Sequence, residues 1–305
     1  MKHSFNFIKN INNPVYKDLI KLRLIKNKNL RVLSNNTRNK KIKVIQDTKE
    51  KIIFLQKYLT SENYYKKSKN NIIIKKNTVV VINKKKLKLS GLDDNERRYK
   101  QFKKILNNKS VLDYGCGSGN FLKKIKNTNR LYGVEVNQNQ LKNLMNFKNF
   151  TIKKSISAFK NKFDVICLFH VLEHLPNQIK ILKDLKLKMK NKSKIIIEVP
   201  HANDILFSII KNNSFKKFTF WEEHLVLHTK KSLKKVLVSS GFKNINVKFF
   251  QRYGLDNHLG WILDGKPGGH VKYNKDISLK LNLNYKKNLE QKGYSDTLIA
   301  TATAK

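Results

Sequence analysis

Apolar and polar positions alternate with two different periods along the chain. From residue 93 onward, short apolar runs of strand length are followed by stretches in which apolar residues recur every three or four positions, the spacing of a helix. The strand-length runs are Val111–Leu112, Leu131–Val136, Phe150–Lys153, Phe163–Phe169, Ile195–Val199, Ile245–Phe250 and Thr297–Thr301. This alternation predicts an α/β fold with a doubly wound, mostly parallel, Rossmann-like sheet of seven strands. Ligands bind such sheets beyond the carboxyl ends of the strands.

The amino-terminal part follows a different pattern. Residues 1–40 are rich in lysine and asparagine and predict a loosely ordered lead or a short helix. Residues 41–56 predict a β-hairpin around a polar turn, and residues 72–82 predict a further β stretch. These segments predict a small β-containing module.

The pattern changes at Asp93, a residue type that caps helix N-termini. We therefore predict two domains, an N-terminal lead and module in residues 1–92 and the α/β domain in residues 93–305. Within the second domain, the segment at about residues 252–295 contains a Pro-Gly-Gly turn and could form a substrate lid.

The segment Val111–Gly119, VLDYGCGSG, has a glycine at every second position after an acidic strand end. Gly115, Gly117 and Gly119 lack a Cβ, so the turn can adopt positive φ and bring backbone N–H groups close to a polar ligand. Apolar residues at helical spacing follow, which predicts that the loop opens a helix. The segment is typical of the first half of a nucleotide-binding α/β domain.

Three kinds of ligand could use such a loop: a dinucleotide, a nucleoside triphosphate or S-adenosylmethionine. The dinucleotide pattern requires a glycine where Asn120 stands, and a phosphate loop requires a lysine followed by serine or threonine at the same place. Asp113 would repel a polyphosphate but attract the cationic groups of S-adenosylmethionine. Glu135 follows the second strand, about twenty residues after the first loop glycine, and can accept hydrogen bonds from both ribose hydroxyls. Its alternative role is to place a charge at the N-terminus of the next helix.

Five stretches resemble, in order and spacing, the motifs of the class I S-adenosylmethionine-dependent methyltransferases. They are VLDYGCGSG, LYGVEV, FDVICLFHVLEHLP, IIIEVP and FWEEHLVLHT. The last three are similar to the branch that includes ubiquinone-type and sugar-directed enzymes. Residues 93–102 and 252–270 are similar to segments of bacterial methyltransferases associated with surface polysaccharide or nucleotide-sugar metabolism.

The resemblance implies two groups of site residues. The cofactor group is Asp113, Tyr114, Gly115, Cys116, Gly117, Gly119, Glu135, Val136, Phe169 and His170. The catalytic group is Glu173, His174 and His224, with His170 and His201 as further candidate bases. Histidine suits removal of a proton from a hydroxyl or amine because its ordinary pKa lies near neutrality. Each histidine could instead fix a loop by hydrogen bonding, and the Phe169 ring could instead fill the core.

The net charge of +44 suggests attraction to nucleic acid, yet only seven of the 65 basic residues are arginine and the lysines are spread over the whole chain. Specific phosphate or base recognition favours arginine, so specific nucleic-acid binding is not favoured. Arg97 and Arg98 could meet an anionic substrate or lie on an exposed helix face.

We therefore predict an S-adenosylmethionine-dependent methyltransferase that acts on a small anionic or saccharide-like molecule, such as a nucleotide sugar. An RNA methyltransferase and a non-catalytic cofactor-binding module stay open as alternatives. The chain lacks an apolar run of about eighteen residues, and its two cysteines lack zinc-site spacing. These features predict a cytoplasmic protein without a membrane span or a zinc site, and no residue is assigned to a metal. The resemblance implies a bacterial protein. The atom that is methylated, metal dependence and oligomeric state stay open.

Overall fold

The structure is a computed structural model. It describes residues 8, 10–59, 79–82, 85–88, 93–126, 128, 130–144 and 149–304, with the backbone alone for 79–82 and 85–88. Its strands are β1 (Leu30–Ser34), β2 (Val44–Asp47), β3 (Ile53–Leu55), β4 (Val79–Ile82), β5 (Lys85–Lys88), β6 (Val111–Tyr114), β7 (Leu131–Val134), β8 (Phe150–Lys153), β9 (Phe163–Phe169), β10 (Met189–Pro200), β11 (Val226–Leu227), β12 (Lys243–Phe250) and β13 (Thr297–Thr303).

The α-helices surround these strands in sequence and in space. They are α1 (Pro14–Lys21), α2 (Asp94–Leu106), α3 (Gln138–Leu144), α4 (Gln178–Leu187), α5 (Ile205–Ser208), α6 (Asn213–Thr219), α7 (Lys230–Ser239), α8 (Leu255–Leu263), α9 (Gly269–Lys272) and α10 (Leu279–Lys292). Asp93 caps α2 as predicted, since its carboxylate accepts hydrogen bonds from the backbone N–H groups of Asn95 and Glu96. Of the helices that the structure describes, not one combines the length and the apolar character that a bilayer crossing requires.

Seven strands form the central sheet in the order β12-β13-β10-β9-β6-β7-β8. The five strands from β10 to β8 pair in parallel, and β13 runs antiparallel between β10 and β12. The predicted fold class is therefore confirmed. The fifth strand along the domain, β10, is longer than predicted, because it extends back to Met189 through a register shift before Lys194.

Apolar residues cover both faces of this sheet. Along β10, Ile195 and Ile197 pack into one buried cluster, whereas Ile196 packs into the cluster on the opposite face. Successive strand residues point to opposite faces, so a continuous apolar run is what a strand buried on both sides requires. Layers on both faces leave the edge formed by the strand ends as the place for a ligand.

The N-terminal region contains the predicted hairpin, in which β2 and β3 pair antiparallel with Ile45 opposite Phe54. The predicted short helix is α1, but strand β1 in the lead was not predicted. Buried and exposed residues do not alternate regularly along β1, so its sequence lacks the two-residue period of a half-buried strand. Of the predicted β stretch at 72–82, residues 72–78 lie outside the described residues, and 79–82 form β4, paired with β5.

The N-terminal sheet is completed by a strand from the other end of the chain. Its order is β1-β2-β3-β11, and β11 follows β10 by more than twenty residues of sequence. Val226 of β11 lies opposite Phe54 of β3. The side chain of Asn13 donates hydrogen bonds to the backbone oxygens of both Leu55 and Leu225, at 2.8 and 2.9 Å. The N-terminal region therefore holds the loop that precedes β11.

Candidate active site

The glycine loop follows β6 at the carboxyl edge of the central sheet. Gly115, Gly117 and Gly119 all have positive φ, at 78°, 53° and 69°. A Cβ on Gly115 would lie 2.6 Å from Val171, and one on Gly119 would lie 2.8 Å from Leu144. A Cβ on Gly117 would meet no atom of the described residues within 4 Å. The loop is therefore packed at both ends and open in the middle, as a backbone cradle for a ligand requires.

The helix predicted after this loop is not present. One 3₁₀ turn, Leu122–Lys124, stands in its place, followed by extended backbone at Ile125. The prediction was wrong because the next residues, KNTNR, include asparagine and threonine, which favour helices poorly, and the chain must soon enter β7. The apolar residues Phe121 and Leu122 are nevertheless buried as core residues.

Two carboxylates lie at the ends of neighbouring parallel strands. Asp113 of β6 is 4% exposed, and Glu135, directly after β7, is 8% exposed. The carboxylate of Glu135 accepts hydrogen bonds from the backbone N–H groups of Gly117 (2.8 Å) and Asn137 (2.7 Å). The first of these bonds connects the glycine loop to the end of β7. Each carboxylate oxygen keeps a second lone pair for a ligand.

Burial controls the electrostatics of Asp113. Desolvation and, secondarily, the negative charge of Glu135 raise the pKa of Asp113 to about 7, although the guanidinium of Arg98 opposes the shift. A buried carboxylate beside a second carboxylate would be stabilised by a cation. The pair therefore forms a pocket that suits a positively charged group and disfavours a phosphate.

Phe169 ends β9, the strand next to β6, and His170 follows it. The Phe169 ring lies 4.7 Å from the ring of Phe121, centroid to centroid, and also contacts Phe102, so it has core contacts. His170 adopts a φ of 55°, and its N–H donates to the backbone oxygen of Glu198 at 2.8 Å. Of the other residues predicted for the cofactor group, Tyr114 is partly buried, Cys116 is buried and Val136 is 41% exposed.

The imidazole of His170 lies between two buried carboxylates. Its Nδ1 is 3.4 Å from Oε1 of Glu173, and its Nε2 is 3.3 Å from Oε1 of Glu198. Burial lowers the pKa of His170, but contacts with Glu173 and Glu198 outweigh this effect, and the pKa is raised. His170 thus lies between the Glu198 carboxylate and the Glu173 turn.

Glu198 was missed as a site residue. It is fully buried in β10 and accepts hydrogen bonds from Arg97 (2.9 Å to each carboxylate oxygen) and Arg98 (2.6 Å from Nη2). The two arginines do not lie on an exposed helix face, because both guanidinium groups bind the buried Glu198 carboxylate. A single acidic residue within the otherwise apolar IIIEVP strand was the available sequence signal.

A second group of side chains lies beyond His170. Glu173 and His174 belong to the 3₁₀ turn Leu172–His174 after β9, and His224 lies in the loop before β11. The rings of His174 and His224 are 4.9 Å apart between centroids, and Nε2 of His174 is 3.9 Å from Oε1 of Glu173. The structure therefore brings the three predicted catalytic residues together.

The pKa values within this group differ strongly. Burial raises the pKa of Glu173, but hydrogen bonding with His170 and the charges of the neighbouring histidines outweigh it and lower the pKa to about 2. Burial lowers the pKa of His224, and charge on His174 lowers it further, to about 3. At neutral pH the group therefore has a carboxylate and an uncharged His224 imidazole.

The fourth histidine considered as a base lies elsewhere. His201 is 2% exposed, its Nδ1 lies 2.9 Å from the backbone oxygen of Ser295, and burial lowers its pKa to about 4. In the segment predicted as a lid, His258 contacts the Tyr285 hydroxyl and Asn257 contacts His270. These residues have partners within the fold.

Comparison with known proteins identifies the domain. A family model described as "Methyltransferase domain" matches residues 91–247. No curated protein matches the chain.

The structure is similar to several solved methyltransferases. One is a SAM-dependent methyltransferase from Archaeoglobus fulgidus, with 20% identity over 68% of this chain and 92% of that one and a TM-score of 0.47. Another is phosphoethanolamine N-methyltransferase 2 of Haemonchus contortus in complex with S-adenosylmethionine, with 16% identity over 70% of this chain and 53% of that one and a TM-score of 0.44. Since the family model covers more than half of the sequence, the chain belongs to the methyltransferase domain family, and its cofactor is S-adenosylmethionine.

Proposed function

We propose that this methyltransferase acts on a small anionic or saccharide-like molecule, such as a nucleotide sugar. The observation that carries the proposal is the position of two polar groups at one edge of the sheet. Asp113 and Glu135, at the ends of paired strands, form the first, Glu173, His174 and His224 form the second, and His170 contacts Glu173 of the second group. One group suits the cofactor and the other suits an acceptor.

Asp113, Glu135 and the glycine loop are the proposed cofactor-binding residues. Glu135 would accept the ribose hydroxyls, and the two carboxylates would neutralise the positive charge of the bound cofactor. When bound, S-adenosylmethionine supplies an electrophilic methyl group on its sulfonium. Tyr114, Cys116, Val136, Phe169 and His170 are proposed to line the same pocket.

His174 is the better candidate for proton removal from the acceptor. A group with a pKa of about 3, such as His224, holds a proton too weakly to be an efficient base at neutral pH. Nδ1 of His174 lies 3.0 Å from the backbone oxygen of Glu223. A carbonyl only accepts, so this contact requires the proton on Nδ1 and makes Nε2 the basic nitrogen of the ring.

The character of the acceptor follows from charge and from the resemblance of the flanking segments. The chain carries a net charge of +44, which attracts anionic metabolites at long range. The acceptor side is polar, with a carboxylate and two imidazoles, and the Trp221 ring stacks on His224 at 5.8 Å between centroids. A polar molecule with hydroxyl groups can hydrogen-bond to the carboxylate and the imidazoles, whereas an apolar molecule cannot.

Calorimetry with S-adenosylhomocysteine, followed by a radiolabelled-methyl screen, tests the function. We expect Glu135→Gln to weaken S-adenosylhomocysteine binding by at least about tenfold, since hydrogen bonds to a charged group contribute about 1.5–3 kcal/mol each. Glu96→Gln is the control, because Glu96 lies on the exposed side of α2 and pairs with Lys100 and Lys124.

The screen should compare nucleotide sugars, quinone precursors and RNA as acceptors. Label in a sugar nucleotide supports the proposal, and label only in RNA replaces it with the RNA alternative. Cofactor binding without transfer to any pool would favour the non-catalytic module. Equal affinities of the Glu135 variant and the control would refute the assigned ribose contact.

Replacing Gly117 with Ala separates the ligand role of the loop from its structural role. The new Cβ meets no atom within 4 Å in the part of the chain that the structure describes, so the expected loss of stability is the cost of positive φ, about 1–2 kcal/mol. We expect weaker S-adenosylhomocysteine binding, because the methyl group enters the open side of the cradle. Gly115→Ala, which clashes with Val171, should lose more stability in thermal denaturation. Unchanged binding by Gly117→Ala would place the cofactor elsewhere.

A further inference from the structure

We propose that Arg38 binds a phosphate group of the acceptor, in a site between the N-terminal sheet and helix α6. The site consists of the Arg38 guanidinium and the rings of Phe218 and Trp221, on which it lies. That the phosphate belongs to the methyl acceptor rests on the proposed function, whereas phosphate binding by Arg38 does not.

The guanidinium of Arg38 is oriented but not neutralised. Its Cζ lies 4.5 Å from the ring centroid of Phe218 and 5.1 Å from that of Trp221. Within the part of the chain that the structure describes, this guanidinium has neither a hydrogen bond nor an ion pair. Aromatic faces attract a cation but accept none of its five N–H groups in the plane of the guanidinium. Arg38 is partly exposed, so a ligand can reach these donors.

Other arginines near the sheet edge differ in this respect. Each pairs with a carboxylate of the protein; they are Arg97, Arg98 and Arg252. The acidic residue next to Trp221 does not take this role for Arg38, because the Glu222 carboxylate accepts hydrogen bonds from Asn39, at 3.3 and 3.4 Å. Arg38 therefore keeps a positive charge that an anionic ligand can neutralise.

Backbone and side-chain hydrogen bonds hold both parts of the site. The backbone N–H of Arg38 donates to the backbone oxygen of Phe220 at 2.6 Å, which joins the turn after β1 to the segment after α6. In that turn, the hydroxyl of Thr37 donates to the backbone oxygen of Lys40 at 3.1 Å. Nε1 of Trp221 donates to the backbone oxygen of Phe218 at 2.8 Å. Groups that are already ordered lose little freedom when a ligand binds.

Further cations lie around α6. Burial first, and then the charges of Arg31 and Lys211, lower the pKa of Lys216, which precedes Phe218 by two residues. Cations that repel each other in this way are stabilised by an anion nearby. The surroundings of α6 therefore favour a negatively charged ligand.

The guanidinium determines which anion suits the site. Its planar set of donors matches two oxygens of one phosphate group, a geometry that lysine lacks. The Trp221 ring stacks on the His224 ring at an interplanar angle of 13°. A phosphate on Arg38 would therefore lie near the proposed acceptor residues. This arrangement selects a nucleoside diphosphate sugar over a free sugar, because only the former carries phosphate.

Titration calorimetry of the full chain, saturated with S-adenosylhomocysteine, tests the site with UDP and uridine as separate titrants. We expect Arg38→Gln to weaken UDP binding at least about tenfold, since hydrogen bonds between charged groups are lost. The affinity for uridine should stay unchanged. Arg130→Gln is the control, because it removes the same charge and its guanidinium donates to the backbone oxygen of Asn108. Arg38→Lys, which keeps the charge but loses the planar donors, should recover only part of the UDP affinity.

The two titrants separate a phosphate contact from a structural role. If Arg38 only supported Trp221, Arg38→Gln would lose UDP and uridine affinity in equal proportion, and the proposed contact would be wrong. No UDP binding by the wild type, or equal UDP affinities of Arg38→Gln and Arg130→Gln, would also overturn it.

Titration with S-adenosylhomocysteine shows whether each variant has an intact methyltransferase domain, and all of them should bind it as the wild type does. UDP binding that depends on Arg38, without methyl transfer to any sugar nucleotide, would leave the phosphate site intact and contradict the proposed function. Methyl transfer to a sugar nucleotide at the same rate and KM in Arg38→Gln would contradict the phosphate site alone.

Discussion

Replacing Asp113 with Asn is expected to stabilise the cofactor-free protein at pH 8 while strongly weakening cofactor binding. Burial, reinforced by the charge of Glu135, raises the pKa of Asp113 from its ordinary 3.8 to about 7. The folded protein therefore disfavours the charged form that exists above pH 7. Since one pKa unit corresponds to about 1.36 kcal/mol, the gain in the free energy of unfolding is on the order of 4 kcal/mol at most.

The raised pKa of Asp113 also determines how this gain in stability changes with pH. A carboxyl whose pKa is raised in the folded state contributes its full stability below pH 3.8 and loses it as pH rises to about 7. The difference in the free energy of unfolding between Asp113→Asn and the wild type should therefore be small near pH 4, increase up to about pH 7 and stay constant above it. Urea unfolding at several pH values measures it.

Asp164→Asn is the control, because its expected sign is opposite. Burial opposes ionisation of Asp164, but hydrogen bonds from Ser110 and Lys190 lower its pKa to about 2. Asp164→Asn should therefore be less stable than the wild type at pH 8.

Of the two variants, only Asp113→Asn should bind S-adenosylhomocysteine more weakly, by at least about tenfold, because a hydrogen bond to a charged group contributes about 1.5–3 kcal/mol. If Asp113→Asn were less stable than the wild type at pH 8, the inference that burial disfavours the ionised Asp113 carboxylate would be wrong.

Replacing Glu198 with Ala is expected to cost about 3–5 kcal/mol of the free energy of unfolding, as removal of one partner from a buried ion pair does. Glu198 is the shared acceptor of Arg97 and Arg98 and lies 3.3 Å from His170. Without it, the half-buried and buried guanidinium groups keep their positive charge in a poorly solvated place. Equilibrium urea unfolding measures the loss.

The stability lost in Glu198→Ala should decrease as the pH falls. Contacts with His170 and Arg98 overcome the effect of burial and hold the pKa of Glu198 well below its ordinary 4.5. Its contribution is therefore present above pH 4.5 and is lost as pH falls below that value. The difference between the wild type and Glu198→Ala should narrow in acid.

Glu96→Ala is the matched control for Glu198→Ala. Glu96 pairs with Lys100 and Lys124 on the exposed side of α2, where an ion pair contributes about 0–1 kcal/mol. If both variants lost the same small amount of stability, the Glu198 network would have no special structural role.

Local sequence signals predicted the elements that build the proposed cofactor pocket. The glycine spacing after Asp113 predicted a backbone cradle, and the structure has positive φ at all three glycines. The cap at Asp93 and the β2-β3 hairpin were also correct, because caps and tight turns depend on residues a few positions apart. The helix expected after the glycine loop was the main error of this local reasoning.

By itself, the sequence determined which segments form the strands of the central sheet, the positive-φ glycine loop and the residue types that end each strand, because these depend on periodicity and short-range sterics. The tertiary structure alone decided which of those residues meet. It placed Glu198 under two arginines about 100 positions away, and it brought His224 to Glu173 through the pairing of β11 with the N-terminal β3. Contacts between distant segments depend on packing and burial of the whole chain, which no local pattern records.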